Sequence, residues 1–260
     1  MNNLVIGNTS QLSHYFPDDF IKISSRNINF LLYDNQFFDR IYICFAEQRT
    51  FIEDDEDIFI RTNVDYTLDI IDFFSPKCNN IIIYSTCELW NNCVGGVSLS
   101  TPFNYNYSPY IKSKEILTEK INENKRNIII IYPFNFNSVY RKPGFLFSKI
   151  FDSIINNKNI EIGDTYFYRD LVHPEYVVER SIDCVQDEIV GSGRLIFVND
   201  FIRYLYKEFN LNYEQLVEEN IINNNKVKRN IFYLQSKNCK YTKLLEDTVH
   251  EIRKIKNITG

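Results

Sequence analysis

Ile81-Ile-Ile-Tyr84-Ser85-Thr86, followed by Ser108-Pro-Tyr110-Ile-Lys-Ser-Lys114, decides how this chain is read. The first stretch is a buried-type strand ending in two hydroxyls. The second is helical and sets a Tyr and a Lys four residues apart on one face. Tyr-x-x-x-Lys alone says little in a chain with 18 Tyr, and a second match occurs at Tyr233-Leu-Gln-Ser-Lys237. Only the first follows a strand carrying Ser and Thr. A hydroxyl at a strand end, with a phenol and an amine one helical turn apart, is a proton-transfer set suited to hydride chemistry.

Outward from this pair, short apolar runs alternate with helical patterns. Leu4-Val-Ile reads as a strand, Thr9 to Phe16 as a short helix stopped near Pro17, and Phe20-Ile-Lys-Ile as the next strand. Arg40-Ile-Tyr-Ile-Cys-Phe is a further strand, and Ile58 to Phe74 has the three- and four-residue apolar spacing of a helix. Tyr110 to Asn122 is helical, and Asn127-Ile-Ile-Ile-Ile-Tyr is a very apolar strand. Such alternation predicts an α/β fold, a doubly wound parallel sheet with helices on both faces. Beyond Val139 the pattern changes. Phe145 to Asn156, Val198 to Phe209 and Thr242 to Lys256 read as helices, Glu161-Ile-Gly as a short strand, and Asn220 to Asn225 as a loop. The expected division is a dinucleotide-binding core over 1–138 and a small α/β substrate-binding lobe over 139–260, with about 171–203 returning to the core.

Composition sets the outer bounds. The chain has 260 residues and 44% hydrophobic content, enough for a sizeable core, and no apolar run of bilayer length. Met1-Asn-Asn-Leu-Val-Ile has no basic leader, so a cytoplasmic protein without a membrane role is expected. A net charge of −5 without a basic stripe argues against nucleic acid as a partner. Cys44, Cys78, Cys87, Cys93, Cys184 and Cys239 form no Cys-x-x-Cys pair, and the three histidines lack ligand spacing; buried thiols and no metal site are expected.

Two turns point to a nucleotide. Val5-Ile-Gly7-Asn-Thr9-Ser10-Gln11-Leu12-Ser13 runs from strand to turn to helix start, the arrangement that cradles phosphate. It keeps the first of the three usual glycines and has Ser at the other two. After the second strand, Ser24-Ser25-Arg26 offers hydroxyls and a cation where NAD-binding folds place an acid; an Arg there accommodates a 2′-phosphate, which favours NADP(H) over NAD(H).

These motifs together resemble the extended short-chain dehydrogenase/reductases, the nucleotide-sugar epimerase, dehydratase and reductase group with a Rossmann-like core. Gly7 to Ser13 is similar to their Gly-x-x-Gly-x-x-Gly turn. Asp39-Arg-Ile-Tyr-Ile-Cys-Phe45-Ala46-Glu-Gln48 is similar to the strand running into the Ala-Ala motif beside the cofactor. Thr62-Asn63-Val-Asp-Tyr-Thr67 resembles the Asn-Val-x-Gly-Thr helix start, and Ser85-Thr86-Cys-Glu88-Leu-Trp90 the Ser-Ser/Thr-x-x-x-Tyr segment. Tyr110 to Lys114 matches the Tyr-x-x-x-Lys helix. Tyr132-Pro133-Phe-Asn135 resembles the Arg-Pro-x-Asn segment, and Arg169-Asp-Leu-Val-His173 the Arg-Asp-x-Val-His motif. Trp90 and Tyr132 depart from the family's usual Tyr and Arg.

The resemblance implies Thr86, Tyr110 and Lys114 as catalytic residues, with Glu88 as an additional base. It implies cofactor contacts from Gly7, Thr9, Ser10, Gln11, Leu12, Ser24, Ser25, Arg26, Phe45, Ala46, Gln48, Asn63, Ser85 and Pro133, besides Tyr110 and Lys114. Thr86, Asn135 and Arg169 would contact a nucleotide-diphosphate sugar. Lys114 would lower the phenol's pKa from about 10 by its charge. A homodimer through the Tyr110–Lys114 helix is the implied assembly. The reactions left open are NADPH-dependent reduction of a 4-keto(-6-deoxy) sugar, favoured by the compact first half, epimerisation, and 4,6-dehydration or decarboxylation using Glu88. A non-catalytic nucleotide-binding protein of the same fold is the reading from another class.

Overall fold

The computed structural model describes residues 2–51, 55–124, 127–220, 232–235 and 241–259. Lys237 of the second Tyr-x-x-x-Lys match, residues 221–225 of the expected Asn-rich loop, and Cys239 lie outside the described residues.

From the N-terminus run strands β1 (Asn3–Ile6), β2 (Ile21–Ile23) and β3 (Phe38–Ile43). Next come helix α1 (Glu56–Ile60), a π-helical turn at Arg61–Asp65 and helix α2 (Tyr66–Phe74). Strands β4 (Cys78–Tyr84) and β5 (Gly95–Val97) precede helix α3 (Pro109–Glu123). Strands β6 (Ile128–Pro133) and β7 (Asn135–Phe136), helix α4 (Leu146–Asn156) and strands β8 (Ile160–Gly163), β9 (Tyr168–Arg169) and β10 (Leu171–Val172) follow. Helix α5 (Pro174–Asp183), strands β11 (Glu188–Val190) and β12 (Ile196–Phe197), and helices α6 (Val198–Glu208) and α7 (Tyr213–Leu216) lead to strands β13 (Val217–Asn220) and β14 (Phe232–Leu234) and helix α8 (Tyr241–Thr259).

Two compact units result. The first comprises Met1–Asn91, Pro102–Pro133 and Val178–Val190. Its six-stranded sheet has the order β11-β6-β4-β3-β1-β2, with every pair parallel. Ile81 lies between Ile41 and Ile128 in register, and the Ile81–Ile83 and Ile128–Ile131 runs are buried. Continuous β-branched runs suit strands covered on both faces. The chain steps from β1 to β2 on one side, then returns past β1 to build β3, β4, β6 and β11 on the other. With right-handed crossovers this reversal puts connections on both faces, the Rossmann-like doubly wound fold. Arg40 on β3 donates to the carbonyls of Ser181 and Ile182, so its charge caps the C-terminal end of α5.

The second unit comprises Asn92–Thr101, Phe134–Val177 and Gly191–Gly260. Its core is built by Phe147, Ile150, Phe151 and Ile154 of α4, Phe201, Ile202 and Leu205 of α6, and Leu244, Val249 and Ile252 of α8. Small two-stranded pairs surround it, β7 with β10, β8 with β13, β5 with β14 in parallel and β9 with β12 antiparallel.

Two sequence expectations change. The helix expected from Thr9 to Phe16 is a single 3-10 turn at Leu12–Tyr15, because Ser13 turns its hydroxyl onto the carbonyls of Asn8 and Ser10 and tightens the chain. The helix expected from Ile58 to Phe74 begins at Glu56, capped by Asp55, and is interrupted by the π turn.

Candidate active site

Because the six strands of the first unit are parallel, their C-terminal ends share one edge. That edge gathers most of the residues singled out in the sequence. The turn Gly7 to Leu12 follows β1, Ser24 to Arg26 follow β2, Phe45 to Gln48 follow β3, Ser85 to Glu88 follow β4, and Pro133 ends β6. The strand order reverses at β1, between β2 and β3, where ligands of open α/β sheets sit.

Gly7 is required where it stands. Its φ is +107°, and a Cβ there would lie 3.1 Å from the Phe45 backbone nitrogen. The Gly7 and Asn8 amides both donate to the Ile23 carbonyl, drawing the turn onto the end of β2. Ser10 Oγ accepts from the Ser13 amide at 3.2 Å, so the two serines in the glycine positions close the turn on itself. A one-turn 3-10 helix has little dipole. The helix-terminus part of the expected phosphate cradle is therefore replaced by the turn itself, whose Asn8 and Thr9 are exposed. Gln11 and Leu12 are buried beneath it. Arg26 is exposed at the end of β2, and Ser24 Oγ accepts from the Arg26 amide.

Tyr66, not singled out in the sequence, joins this rim. Its hydroxyl donates to the Ser25 carbonyl at 2.6 Å, and its ring lies 5.6 Å from that of Phe45. The available signal was its place in Thr62 to Thr67, where the resembling family has Gly. Asn63 is buried, and its amide is used by the Glu47 backbone and by Ser113.

The residues singled out for chemistry lie at the end of β4 and on α3. Thr86 caps the short turn Cys87–Trp90, its Oγ1 accepting from the Glu88 amide at 3.2 Å. That bond uses a lone pair and leaves the hydroxyl proton available to donate. Lys114 is buried, and its Nζ donates to the Tyr84 carbonyl at 2.8 Å. Burial pushes its pKa from 10.5 down to about 8. Tyr110 is half-buried in the first turn of α3, where Ser108 caps the helix by accepting from the Ile111 amide. The helix end adds positive potential at the phenol. Ser85 turns the other way, with its hydroxyl 3.3 Å from that of Thr118 inside the core. Glu88 accepts from Asn91 Nδ2 at 3.2 Å, and Asn91 Oδ1 in turn accepts from the Asn106 amide.

The two departures from the family's pattern meet each other. Trp90 and Tyr132 lie 5.4 Å apart edge to face, with Phe103 against both. Burial raises the Tyr132 phenol above its ordinary value. An aromatic triad thus packs behind the Thr86–Glu88 turn.

Asn135 and Arg169 belong to the second unit, on β7 and β9. Arg169 stacks over Phe167 and donates to the Tyr168 carbonyl. Beside it Asp170 is buried and accepts from the Ser192 amide and hydroxyl and from the Gly193 and Leu234 amides. Desolvation nevertheless raises its pKa. His173, Glu175 and Asp247 bring ligating atoms within 4.8 Å of one another, a grouping that their sequence spacing did not announce. The five described cysteines form no disulfide, and no described helix is long and apolar enough to cross a membrane.

No family model matches the chain, and no curated protein matches it in sequence. Solved structures do match. RMD from Pseudomonas aeruginosa, complexed with NADPH, aligns over 99% of this chain and 100% of its own with a TM-score of 0.75 and 12% identity. A double mutant of DesIV, the dTDP-glucose 4,6-dehydratase of Streptomyces venezuelae with NAD and DAU bound, aligns over 98% and 97% with a TM-score of 0.76 and 15% identity. The UDP-glucuronic acid 4-epimerase of Bacillus cereus, in complex with NAD, aligns over 98% and 99% with a TM-score of 0.73 and 16% identity. The resemblance read from the motifs thus holds at the level of fold: over nearly its whole length the chain folds as the extended short-chain dehydrogenase/reductases do.

Proposed function

We propose that this chain is an NADP(H)-dependent oxidoreductase that reduces a 4-keto(-6-deoxy) sugar carried on a nucleoside diphosphate. The observation that supports it most is the burial of Lys114, one helical turn after Tyr110 on α3, with its ammonium bonded to the Tyr84 carbonyl two residues before Thr86. The donor set at the sheet edge fits a dinucleotide. The Gly7 turn has exposed Asn8 and Thr9, Arg26 is an exposed cation beside it, and Lys114 keeps two further ammonium protons for ribose hydroxyls. When bound, NADPH supplies a hydride. Tyr110 donates the proton that the sugar's carbonyl oxygen needs as its carbon becomes a carbinol. Thr86 donates a hydrogen bond to that oxygen and holds it in reach of the phenol. Lys114 lowers the phenol's pKa through its charge. Arg26 favours the 2′-phosphate of NADP(H) over NAD(H). Arg169 and Asn135 are the proposed contacts of the sugar nucleotide.

A dehydratase or decarboxylase reading rests on Glu88, two residues past Thr86 and attached to it through its own amide. The reading also includes a homodimer through α3. Ile111, Leu117 and Ile121 are buried in the protein's own core, so Ile116 and the charged Lys112, Glu115, Glu119 and Lys120 would have to form that surface. Free thiols suit the cytoplasm.

The test is incubation with NADPH and a panel of nucleotide-linked 4-keto-6-deoxy sugars. NADPH consumption with one of them, abolished in Tyr110→Phe while cofactor binding persists, is expected. NAD that co-purifies and is reduced only transiently would move the assignment to epimerase or dehydratase. No binding of either dinucleotide by calorimetry would end every enzymatic reading.

A further inference from the structure

The loop after β3 and the helix bearing Tyr110 are joined by one continuous hydrogen-bonded chain. Asn63 sits in the π turn at Arg61–Asp65 and is 1% exposed. The wider π turn is a local device that recurs at functional sites and re-aims side chains. Asn63 Oδ1 accepts from the Glu47 amide at 2.7 Å, and its Nδ2 donates to the Glu47 carbonyl at 3.0 Å. The side chain thus pairs with both backbone groups of Glu47, as a neighbouring strand would. Its second amide proton goes to Ser113 Oγ at 2.9 Å. Ser113 is fully buried and spends its own proton on the Tyr110 carbonyl at 2.7 Å. Only a primary amide of this length accepts once and donates twice here, and only a hydroxyl passes the link onward to a carbonyl.

We infer that Asn63 and Ser113 are positioning residues: together they fix the distance between the Phe45–Gln48 loop, where the cofactor is held, and the phenol of Tyr110, which delivers the proton. This rests on the oxidoreductase reading above. It gives Asn63 a role through the protein instead of direct cofactor contact, and gives Ser113 a role that the sequence did not suggest. The physical requirement is geometric. Hydride and proton must reach adjacent atoms of one carbonyl, and a displacement of about 1 Å costs on the order of 100-fold in rate.

The experiment compares Ser113→Ala, Ser113→Cys and Asn63→Leu with the unaltered chain in NADPH oxidation, scaled to the folded, dinucleotide-binding fraction. For Ser113→Ala the expected result is a kcat lower by about 10- to 100-fold with the NADPH Kd within about twofold. The weaker thiol donor of Ser113→Cys should give an intermediate kcat. Asn63→Leu, which also frees the Glu47 backbone, should lose both kcat and NADPH affinity. A merely structural role would lower thermal stability and leave kcat per folded molecule unchanged; that result in the two Ser113 variants overturns the inference alone. An unaltered chain that neither binds nor oxidises NADPH overturns the oxidoreductase reading and this inference with it.

Discussion

Lys114 shows how one residue can be a cost to the fold and, in the proposed reaction, a requirement for the chemistry. Burial pushes its pKa down to about 8 from 10.5. Between those values the unfolded chain holds the proton that the folded chain has released, so this group makes stability rise with pH across that window. Below pH 8 the buried charge costs about 3 kcal/mol. Lys114→Met should therefore stabilise the protein by about 1–2 kcal/mol at pH 7 in urea unfolding, the loss of the bond to the Tyr84 carbonyl offsetting part of the gain. The same variant should lose at least about 100-fold in kcat, since Tyr110 would act without its neighbouring charge. In the unaltered protein kcat should fall as pH rises through about 8, where Lys114 becomes neutral. A flat profile from pH 7 to 9 would contradict its role. Gly7 is the converse case, a residue chosen for its backbone. Gly7→Ala must place a Cβ at φ +107° and 3.1 Å from the Phe45 nitrogen. A loss of about 2 kcal/mol is expected, read as a lower urea midpoint.

At the scale of elements, short segments are held by side-chain bonds that regular secondary structure does not provide. The segment Ser192–Arg194 and strand β14 are tied to β9 and β10 by the Asp170 carboxylate, which accepts from three backbone amides and one hydroxyl. Gly191 beside it has no room for a side chain, because a Cβ would lie 2.8 Å from the Phe134 ring and 3.0 Å from the carboxylate. Asp170→Ala should cost about 3–5 kcal/mol, because it strands several buried donors at once. Circular dichroism during urea titration would check this, and a change under about 1 kcal/mol would show that water replaces the carboxylate. The π turn acts in a similar way on the first unit, taking Asn63 out of ordinary helical spacing and aiming it at Glu47 and Ser113.

For the whole molecule, the proposed cofactor contacts are scattered from Gly7 to Pro133, yet most of them lie at the C-terminal edge of one sheet. Binding should therefore protect many sequence segments together. With NADPH at about 100 times its Kd, a stabilisation of about 2.7 kcal/mol is expected. Hydrogen exchange should slow in the turns following β1, β2, β3 and β4 and at the start of α3. Slowing confined to one of these segments would mean that the edge does not act as a single site.

Much of this is legible in the chain itself. The Ile81–Ile83 and Ile128–Ile131 runs are buried, and their short length, β-branched composition and flanking turns suffice to read central parallel strands. The Tyr110–Lys114 spacing needs only a helix to share a face, and Ser108-Pro109 starts one. The first helix is shorter than apolar spacing predicts because Ser13 bonds backward to Asn8 and Ser10, a local competition that such spacing does not reveal. Tyr66, Ser113, Thr118 and Asp170 escape a sequence reading for a different reason. Their partners lie 41, 50, 33 and 64 residues away at the farthest, and no local pattern encodes such pairings. Sequence by itself determined five of the six strands of the main sheet, the helix bearing Tyr110 and Lys114 and the order of the turns, because these depend on side-chain pattern and local backbone preference; strand β11 escaped it. Tertiary structure alone decided that Lys114 is desolvated, that Asn63 links a loop to a helix and that Trp90 meets Tyr132, because burial and hydrogen bonding between distant residues exist only once the sheet has brought them together.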